Sequence, residues 1–397
     1  MTGVSTLGQA LRQIQNIKSQ QMSFSDLSTQ LASGKKTNSF AGLNTDVLPS
    51  LRSRTGVKSL DVYSNNIQKA DTRISVILQS IGEYQAQTKN VADTLAGFVQ
   101  QGSHQKGNDV IYDDPATPEV ETTVVGKTSA EVDSDLQAVQ DHATSLYPFL
   151  LDLLNTQEGD RYVFAGSDTF TKPINDSGTL DAAMSTLITK WKDGTISNKE
   201  LIADLTDRTA LDGNPDALTD TVIGYSPQLS SGNTGDVYVR ASEDSEFKYT
   251  TLANEDPLRN IVVALAFLKN QNLPPIEDVY KNGTYPGVPD VQGAPGQTAE
   301  EMQNNFYEVF NAVDKMVVDS ADSINKIRYR MENVRVQMDQ TKKSQENQKN
   351  LLLSTISDIE DVNTNEVAVK INTLQTQLQA SYSVTSMASK LSLVNFL

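Results

Sequence analysis

The chain of 397 residues has no cysteine and only two histidines, His104 and His142. Disulfides, thiolate metal sites and cysteine nucleophiles are thereby excluded, and any acid–base chemistry would rest on carboxylates, Lys, Ser or Tyr. Aromatic residues are scarce at 6 %, with a single tryptophan, Trp191, and the hydrophobic set reaches 38 %. That composition is lean for a large enzyme and ordinary for long half-exposed helices. No stretch approaches the eighteen or so apolar residues that span a bilayer, so no membrane partner is expected. The amino end, MTGVSTLGQALRQIQNIKSQQ, has no basic leader, and Arg12, Gln13, Gln15 and Asn16 interrupt its apolar positions. A cleaved secretory signal is therefore not expected. Positive charge is in deficit, with 33 Lys and Arg against 50 Asp and Glu and a formal charge of −17. Such a balance repels phosphate backbones and argues against a nucleic-acid partner. The GxGxxG, GxxxxGK[ST] and GxSxG patterns are missing, which removes the common phosphate-binding and nucleophile motifs.

What the chain does have is period. From Val313 to Val362, alternating steps of four and three residues land on Val313, Val317, Ser320, Ile324, Ile327, Met331, Val334 and Met338. The same register continues through Thr341, Gln345, Gln348, Leu352, Thr355 and Ile359, and extends back to Phe306 and Phe310. This is the seam of one long helix, about 75 Å at 1.5 Å per residue. A second seam runs from Val57 to Val99, interrupted by Gly82 and Gly97, and a third from Val132 to Leu153, where Pro148 should kink or restart the helix. Three seams from distant parts of the chain can bury one another. At the amino end Leu7, Leu11 and Ile14 keep a similar spacing, as do Ile371, Leu374, Leu378 and Leu391 at the carboxyl end. DVNTNE, at Asp361 to Glu366, marks a break between two helices because Ile371 lies off the preceding register.

Between the seams, RYVFAGSDTF at Arg161 to Phe170 predicts a strand and turn. From Lys172 to about Thr298 Gly and Pro become frequent (GNPD, YSPQ, SGNTG, LPP, YPGVPD, GAPG), and short alternating runs such as DVYVR and EFKYTT appear. IVVALAFLKN, at Ile261 to Asn270, is apolar nearly all round and predicts a buried helix packed under the strands. The expected fold is therefore α+β and multidomain: an elongated antiparallel helical coiled-coil rod formed by both chain ends, with an inserted β-rich central domain. Its divisions are residues 1–40 with 365–397 as a terminal helical domain, 41–172 with 299–364 as the rod carrying a β-hairpin, and 173–298 as the exposed central domain.

No catalytic, cofactor-binding or metal site is expected. His104 reads as an exposed loop residue and His142 as a helix-surface one. The run beginning at Asp212, Asn214 and Asp216 resembles a calcium loop, but it has Ala217 where glycine is needed and Ile223 where the bidentate glutamate belongs. A looser oxygen site among Asp204, Asp207, Asp212 and Asp216 is outweighed by a solvated acidic loop. Asp113 and Asp114 are adjacent in a loop and do not form a catalytic pair across a rigid cleft.

Three motifs carry a resemblance: SxQLASGKK at Ser28 to Lys36, LLNTQEGDRYVFAGSDT at Leu153 to Thr169, and ISDIEDVNTNEVAVKINTLQTQLQASYSVTSMASKLSLVNFL at Ile356 to Leu397. Together with amphipathic chain ends and a variable insertion, they resemble the bacterial flagellin superfamily, which includes filament flagellins and hook–filament junction proteins. The resemblance implies a non-enzymatic structural subunit of the flagellum, exported without a cleaved signal peptide and located outside the cell. It implies, as partners, copies of itself in a helical tubular assembly, neighbouring hook-associated proteins or flagellin, and a flagellar export chaperone. Carried onto this sequence, Leu7, Leu11, Ile14, Ile371, Leu374, Leu378, Leu391 and Leu393 would be inner-tube contacts. The insertion favours the junction branch, with filament flagellin as the alternative. After GKK the sequence TNSFAGLNTDVLPS departs from the family's acidic, Ala-rich run and places Pro49 in the joint. A secreted enzyme or carbohydrate-binding module in residues 173–299, and an unrelated coiled-coil adaptor, are the rival readings.

Overall fold

The computed structural model describes residues 3–103, 129–208, 216–273 and 299–394. In chain order these form α1 (Gly3–Ser33), a 3-10 segment (Phe40–Asp46), α2 (Val47–Ser103), α3 (Ser129–Leu154), β1 (Gln157–Glu158) and β2 (Arg161–Tyr162). There follow α4 (Thr179–Lys192), α5 (Asn198–Thr206), α6 (Asp220–Ile223), α7 (Pro227–Ser230), β3 (Tyr238–Arg240), β4 (Glu246–Lys248), α8 (Asp256–Leu268), α9 (Ala299–Glu360) and α10 (Thr364–Val394). The chain divides into two compact units, residues 1–65 with 341–397, and residues 66–340.

In the 66–340 unit the predicted seams are the buried faces. Val313, Val317, Ile324, Ile327, Met331 and Met338 of α9 are all buried, as are Ile67, Ile74, Ile81, Leu95 and Val99 of α2. The two helices run antiparallel, since Arg335 Nε donates to Asp71 at 2.6 Å and Gln85 Nε2 to the Ala321 carbonyl at 3.2 Å. Further along, Phe98 lies 5.3 Å from Phe310, ring centre to ring centre. Trp191 joins this aromatic cluster over Phe306, and its indole N–H is satisfied by Asn198 Oδ1 at 2.8 Å. Gly82 and Gly97 leave α2 unbroken. Pro148 likewise neither kinks α3 into two elements nor restarts it. Both Pro148 and Thr144, whose carbonyl loses its partner, face solvent, so water can take the place of the missing N–H.

The stretch 173–298 differs from expectation. Among the described residues its strands are β3 and β4, three residues each and paired antiparallel, with Val239 opposite Phe247. The rest of its regular structure is helical, and the 66–340 unit includes it together with the long helices. Much of the Gly and Pro punctuation serves helix ends instead of hairpins. Gly178 precedes α4 at φ 72°, Gly224 closes α6 at φ 101°, and Pro227 and Pro257 sit in the first turns of α7 and α8, where a missing N–H costs nothing. The segments LPP, YPGVPD and GAPG lie outside the described residues apart from Leu273. The all-round apolar helix is α8, buried at every position from Ile261 to Leu268, but its neighbours are the helices α3, α4 and α5.

RYVFAGSDTF supplies only β2 of the expected strand. Its partner β1 lies before it, and Gly159, at φ 64°, makes the turn. Gly166 serves a close approach instead. At φ 62° it sits where a Cβ would come within 2.1 Å of the Thr234 methyl and 2.9 Å of Leu252. Its bareness lets the chain pass close to the 234–252 segment, and the Ser167 amide donates to the Gly235 carbonyl at 3.0 Å.

A buried polar network, not foreseen from the sequence, fastens residues 207–208 and 218–229 to α8 and the turn before it. Arg259, with a fully buried side chain, donates to the carbonyls of Leu218 at 2.5 Å and Asp207 at 2.9 Å. Asp220 accepts from Arg208 at 2.8 Å and from Asn254 at 2.7 Å. Burial pushes the Arg259 guanidinium down from its ordinary range, although Asp220 opposes the effect. Removing Arg259 takes this donor from the Leu218 and Asp207 carbonyls and leaves Asp220 with Arg208 as its neighbouring cation. Arg259→Ala should lower stability by about 3–5 kcal/mol, read as a reduced urea midpoint in Trp191 fluorescence. A change below about 1 kcal/mol would show the network to be dispensable.

Candidate functional site

Within the other unit, α1 and α10 form an antiparallel pair. Gln21 Nε2 donates to the Tyr382 hydroxyl at 2.6 Å and Ser381 Oγ to Gln20 Oε1 at 3.3 Å, while at the far end Lys35 bridges to Asp361. Half-buried positions on α10 recur at Ile371, Leu374, Leu378, Ser381 and Thr385, the three- and four-residue spacing of a single stripe. The corresponding positions on α1 are Ile17, Gln20, Phe24 and Leu27. Outside that stripe the pair is uncovered: Leu11 is 55 % exposed, Ile14 57 % and Met387 65 %, and Val369 and Val384 also face solvent.

The predicted contact residues therefore separate. Ile371, Leu374 and Leu378 share the stripe between α1 and α10, whereas Leu11 and Ile14 face away from it. Leu7 and Leu391 lie on helices whose side chains there, like that of Leu393, are outside the description.

The pair is anchored by a joint in which two chain turns are tied together. At the end of α1, Gly34 adopts φ 71° and its amide closes onto the Gln30 carbonyl at 2.8 Å, a turn that a side-chain-bearing residue would strain. The Lys36 amide donates to the Glu360 carbonyl at 2.7 Å and the Val362 amide to the Gly34 carbonyl at 3.0 Å. Lys36 Nζ reaches the Asp358 and Ile359 carbonyls at 2.7 and 2.8 Å, which places a cation on the negative end of α9. Asn363 then starts α10, its side-chain oxygen accepting from the Asn365 and Glu366 amides at 3.1 and 3.3 Å.

At the centre is Glu360, whose side chain is 8 % exposed. It accepts from Ser50 Oγ at 2.6 Å and from Arg54 Nε and Nη2 at 2.8 and 2.5 Å, with Lys35 Nζ at 3.4 Å. The Arg54 fork, with Ser50 and Lys35, holds this carboxyl well below the usual range, at about 2, against the opposing effect of burial. Lys35 also pairs with Asp361 at 2.5 Å and lowers that carboxyl. Pro49 does not obstruct the joint, because it falls in the first turn of α2, where backbone amides have no helical partner. The sequence marks both turns, GKK and DVNTNE, but not the ion cluster. An acid on α9 and a base on α2 some three hundred residues apart carry no local signal.

The other candidates do not converge on chemistry. His142 lies half-buried on α3, and His104, Asp113 and Asp114 are outside the described residues. Asp216 pairs with Lys190 at 2.5 Å, and Asp204 is buried on α5 instead of standing in a solvated loop; Asp212 is outside the description. Among the described residues no group of three or more His, Asp and Glu could hold a metal.

Paired terminal helices, half-covered and locked by a charged joint, define a helical protein whose most developed site is a surface. Comparison with known proteins gives the family of its carboxyl end: residues 315–397 match the bacterial flagellin C-terminal helical region. That is about a fifth of the chain, and it takes in the second half of the joint and all of α10. No curated protein gives a match. A solved structure provisionally assigned as a flagellar hook-associated protein from Vibrio parahaemolyticus aligns at 11 % identity and a TM-score of 0.41, over 79 % of this chain and 97 % of that one.

Glu360→Ala removes the shared acceptor of Ser50, Arg54 and Lys35 and should cost roughly 2–3 kcal/mol at neutral pH. Because the folded pKa is depressed, this stabilisation is complete above the ordinary value of 4.5 and disappears as pH falls towards about 2. Urea unfolding followed by far-ultraviolet circular dichroism should therefore show a difference between wild type and variant that shrinks across that window. A difference that persists at pH 2 would mean the charge is not its source.

Proposed function

We propose that this protein is a structural subunit of the bacterial flagellum that self-assembles through α1 and α10, most specifically at the hook–filament junction. The observation that carries the reading is the coincidence of the flagellin C-terminal match with α10, whose partner α1 leaves Leu11 and Ile14 exposed. Side chains of that size, left in water on a helix pair only two layers deep, gain about 1.5–3 kcal/mol each when a neighbour covers them. On this reading Leu11 and Ile14 contact neighbouring copies directly, Leu7, Leu391 and Leu393 do so near the helix ends, and Ile371, Leu374 and Leu378 hold the pair in the shape that neighbours accept. Its partners are copies of itself, adjoining hook-associated proteins or flagellin, and an export chaperone. It works outside the cell as a mechanical element with no catalytic residue or cofactor. The second reading, filament flagellin, rests on the same carboxyl-terminal match.

Negative-stain electron microscopy of the full-length protein, with and without sheared flagellar seeds, separates the two. Short caps on hook or seed ends from otherwise soluble monomers support the junction reading, and long homopolymers support filament flagellin. The Leu11→Asp, Ile14→Asp double variant should keep its helix content and lose at least about tenfold in assembly rate. Unchanged assembly by that variant would remove these residues from the interface.

A further inference from the structure

The two compact units differ in charge and in where they keep their sulfur. Residues 1–65 and 341–397 contain twelve Lys and Arg against eight Asp and Glu, a net +4, whereas residues 66–340 contain twenty-one against forty-two, a net −21. So small a charge on the terminal unit leaves its association to the apolar side chains it exposes. With no cysteine in the chain, methionine is its only sulfur. Met184, Met316, Met331 and Met338, all in the 66–340 unit, are buried. Met22 on α1 is 61 % exposed and Met387 on α10 is as open, so among the described side chains both uncovered thioethers stand on the terminal pair. Met1 and Met302 lie outside those side chains.

Both methionines continue the exposed apolar lines of their helices. Met22 follows Leu11 by eleven residues, about three turns of an α-helix, and so lies on the same side of α1. Met387 follows Val369 by eighteen residues, about five turns, and Val384 is its neighbour at the three-residue spacing. All five side chains face solvent. An unbranched thioether suits such a surface, because it adapts to whatever shape a neighbouring copy presents. It also carries a liability that Leu and Val lack, since a peroxide converts it into a polar, chiral sulfoxide. The single Trp191, the other readily oxidised side chain, is fully buried.

Resting on the proposal that the protein self-assembles through this pair, we infer that Met22 and Met387 are sites of reversible oxidation, by hydrogen peroxide or a related hydroperoxide, that turns assembly off. The Sδ lone pair attacks one peroxide oxygen, the O–O bond breaks and an S–O bond forms. Sulfur is oxidised by two electrons, and the other oxygen takes the remaining proton and leaves as water. A sulfoxide oxygen on a line that neighbours must cover then needs a hydrogen-bond donor or must stay in water, and either opposes burial. A reductase with a dithiol reverses the step: the sulfoxide oxygen leaves as water and the dithiol becomes a disulfide. The chain has no cysteine of its own to react with that reagent. In the polymer the same thioethers are covered, so oxidation acts on free subunits before they add.

The test treats full-length monomer and polymer with dilute hydrogen peroxide and maps oxygen uptake at each methionine by peptide mass spectrometry. In the monomer Met22 and Met387 should oxidise at least about tenfold faster than Met184, Met331 and Met338, and in the polymer they should slow by about tenfold. Oxidised monomer should need about tenfold more protein to assemble, and sulfoxide reductase with a dithiol should restore the original concentration. The Met22→Leu, Met387→Leu double variant, equally apolar but without sulfur at these positions, should assemble like untreated wild type with or without peroxide. Unchanged assembly by protein oxidised at both residues, equal oxidation of exposed and buried methionines, or peroxide inhibition that the double variant shares overturns the switch and leaves self-assembly standing. Failure of the untreated wild type to form any polymer overturns both.

Discussion

Two helices laid side by side can cover only one stripe of each other, and everything about residues 1–65 and 341–397 follows from that limit. Ile371, Leu374 and Leu378 share the covered stripe with Ile17, Phe24 and Leu27, and the rest of both helices remains in water. A pair of thirty-one-residue helices held in this way is marginal, because propensity adds little and packing is one face deep. The joint compensates locally. Two backbone hydrogen bonds between the Gly34–Lys36 and Glu360–Val362 turns, and a carboxylate shared by Ser50, Arg54 and Lys35, fix where α1 ends and where α10 begins.

The 66–340 unit works by the opposite arrangement. There α9 and α2 lie among further helices, so their seams are dry, and Trp191, Phe267, Phe306 and Phe310 form a continuous aromatic core. An expensive feature in it is the buried Arg259 and Asp220 network, which holds the segment around Leu218 to a helix that is apolar from Ile261 to Leu268. The excess of acid in this unit keeps its surface soluble, while the basic, Gln- and Ser-rich terminal unit has little charge to stop it associating.

The long helices are legible because period is a local property: the α9 seam read off Val313 to Met338 is the buried face, and the break at DVNTNE falls between α9 and α10. The central segment is misread when Gly and Pro are weighed as hairpin turns, whereas Gly178, Gly224, Pro227 and Pro257 begin or end short helices, where the same residues are equally at home. Pro148 and Pro49 look like obstacles in the sequence, yet one faces water and the other sits in a first turn. The joint and the Arg259 network stay hidden because each depends on charges brought together by the fold. GKK and DVNTNE mark the place of the first, and nothing in the sequence marks the second.

On the proposed assembly, the α1 and α10 pair is half-finished in the monomer and completed by neighbours. Hydrogen exchange followed by mass spectrometry, on full-length monomer and on assembled polymer, tests it at the level of single segments. Amides of α1 and α10 should exchange far faster than those of α8 in the monomer and become strongly protected in the polymer, with α8 unchanged. Terminal helices already as protected as α8 in the monomer, or still exchanging freely in the polymer, would contradict the account.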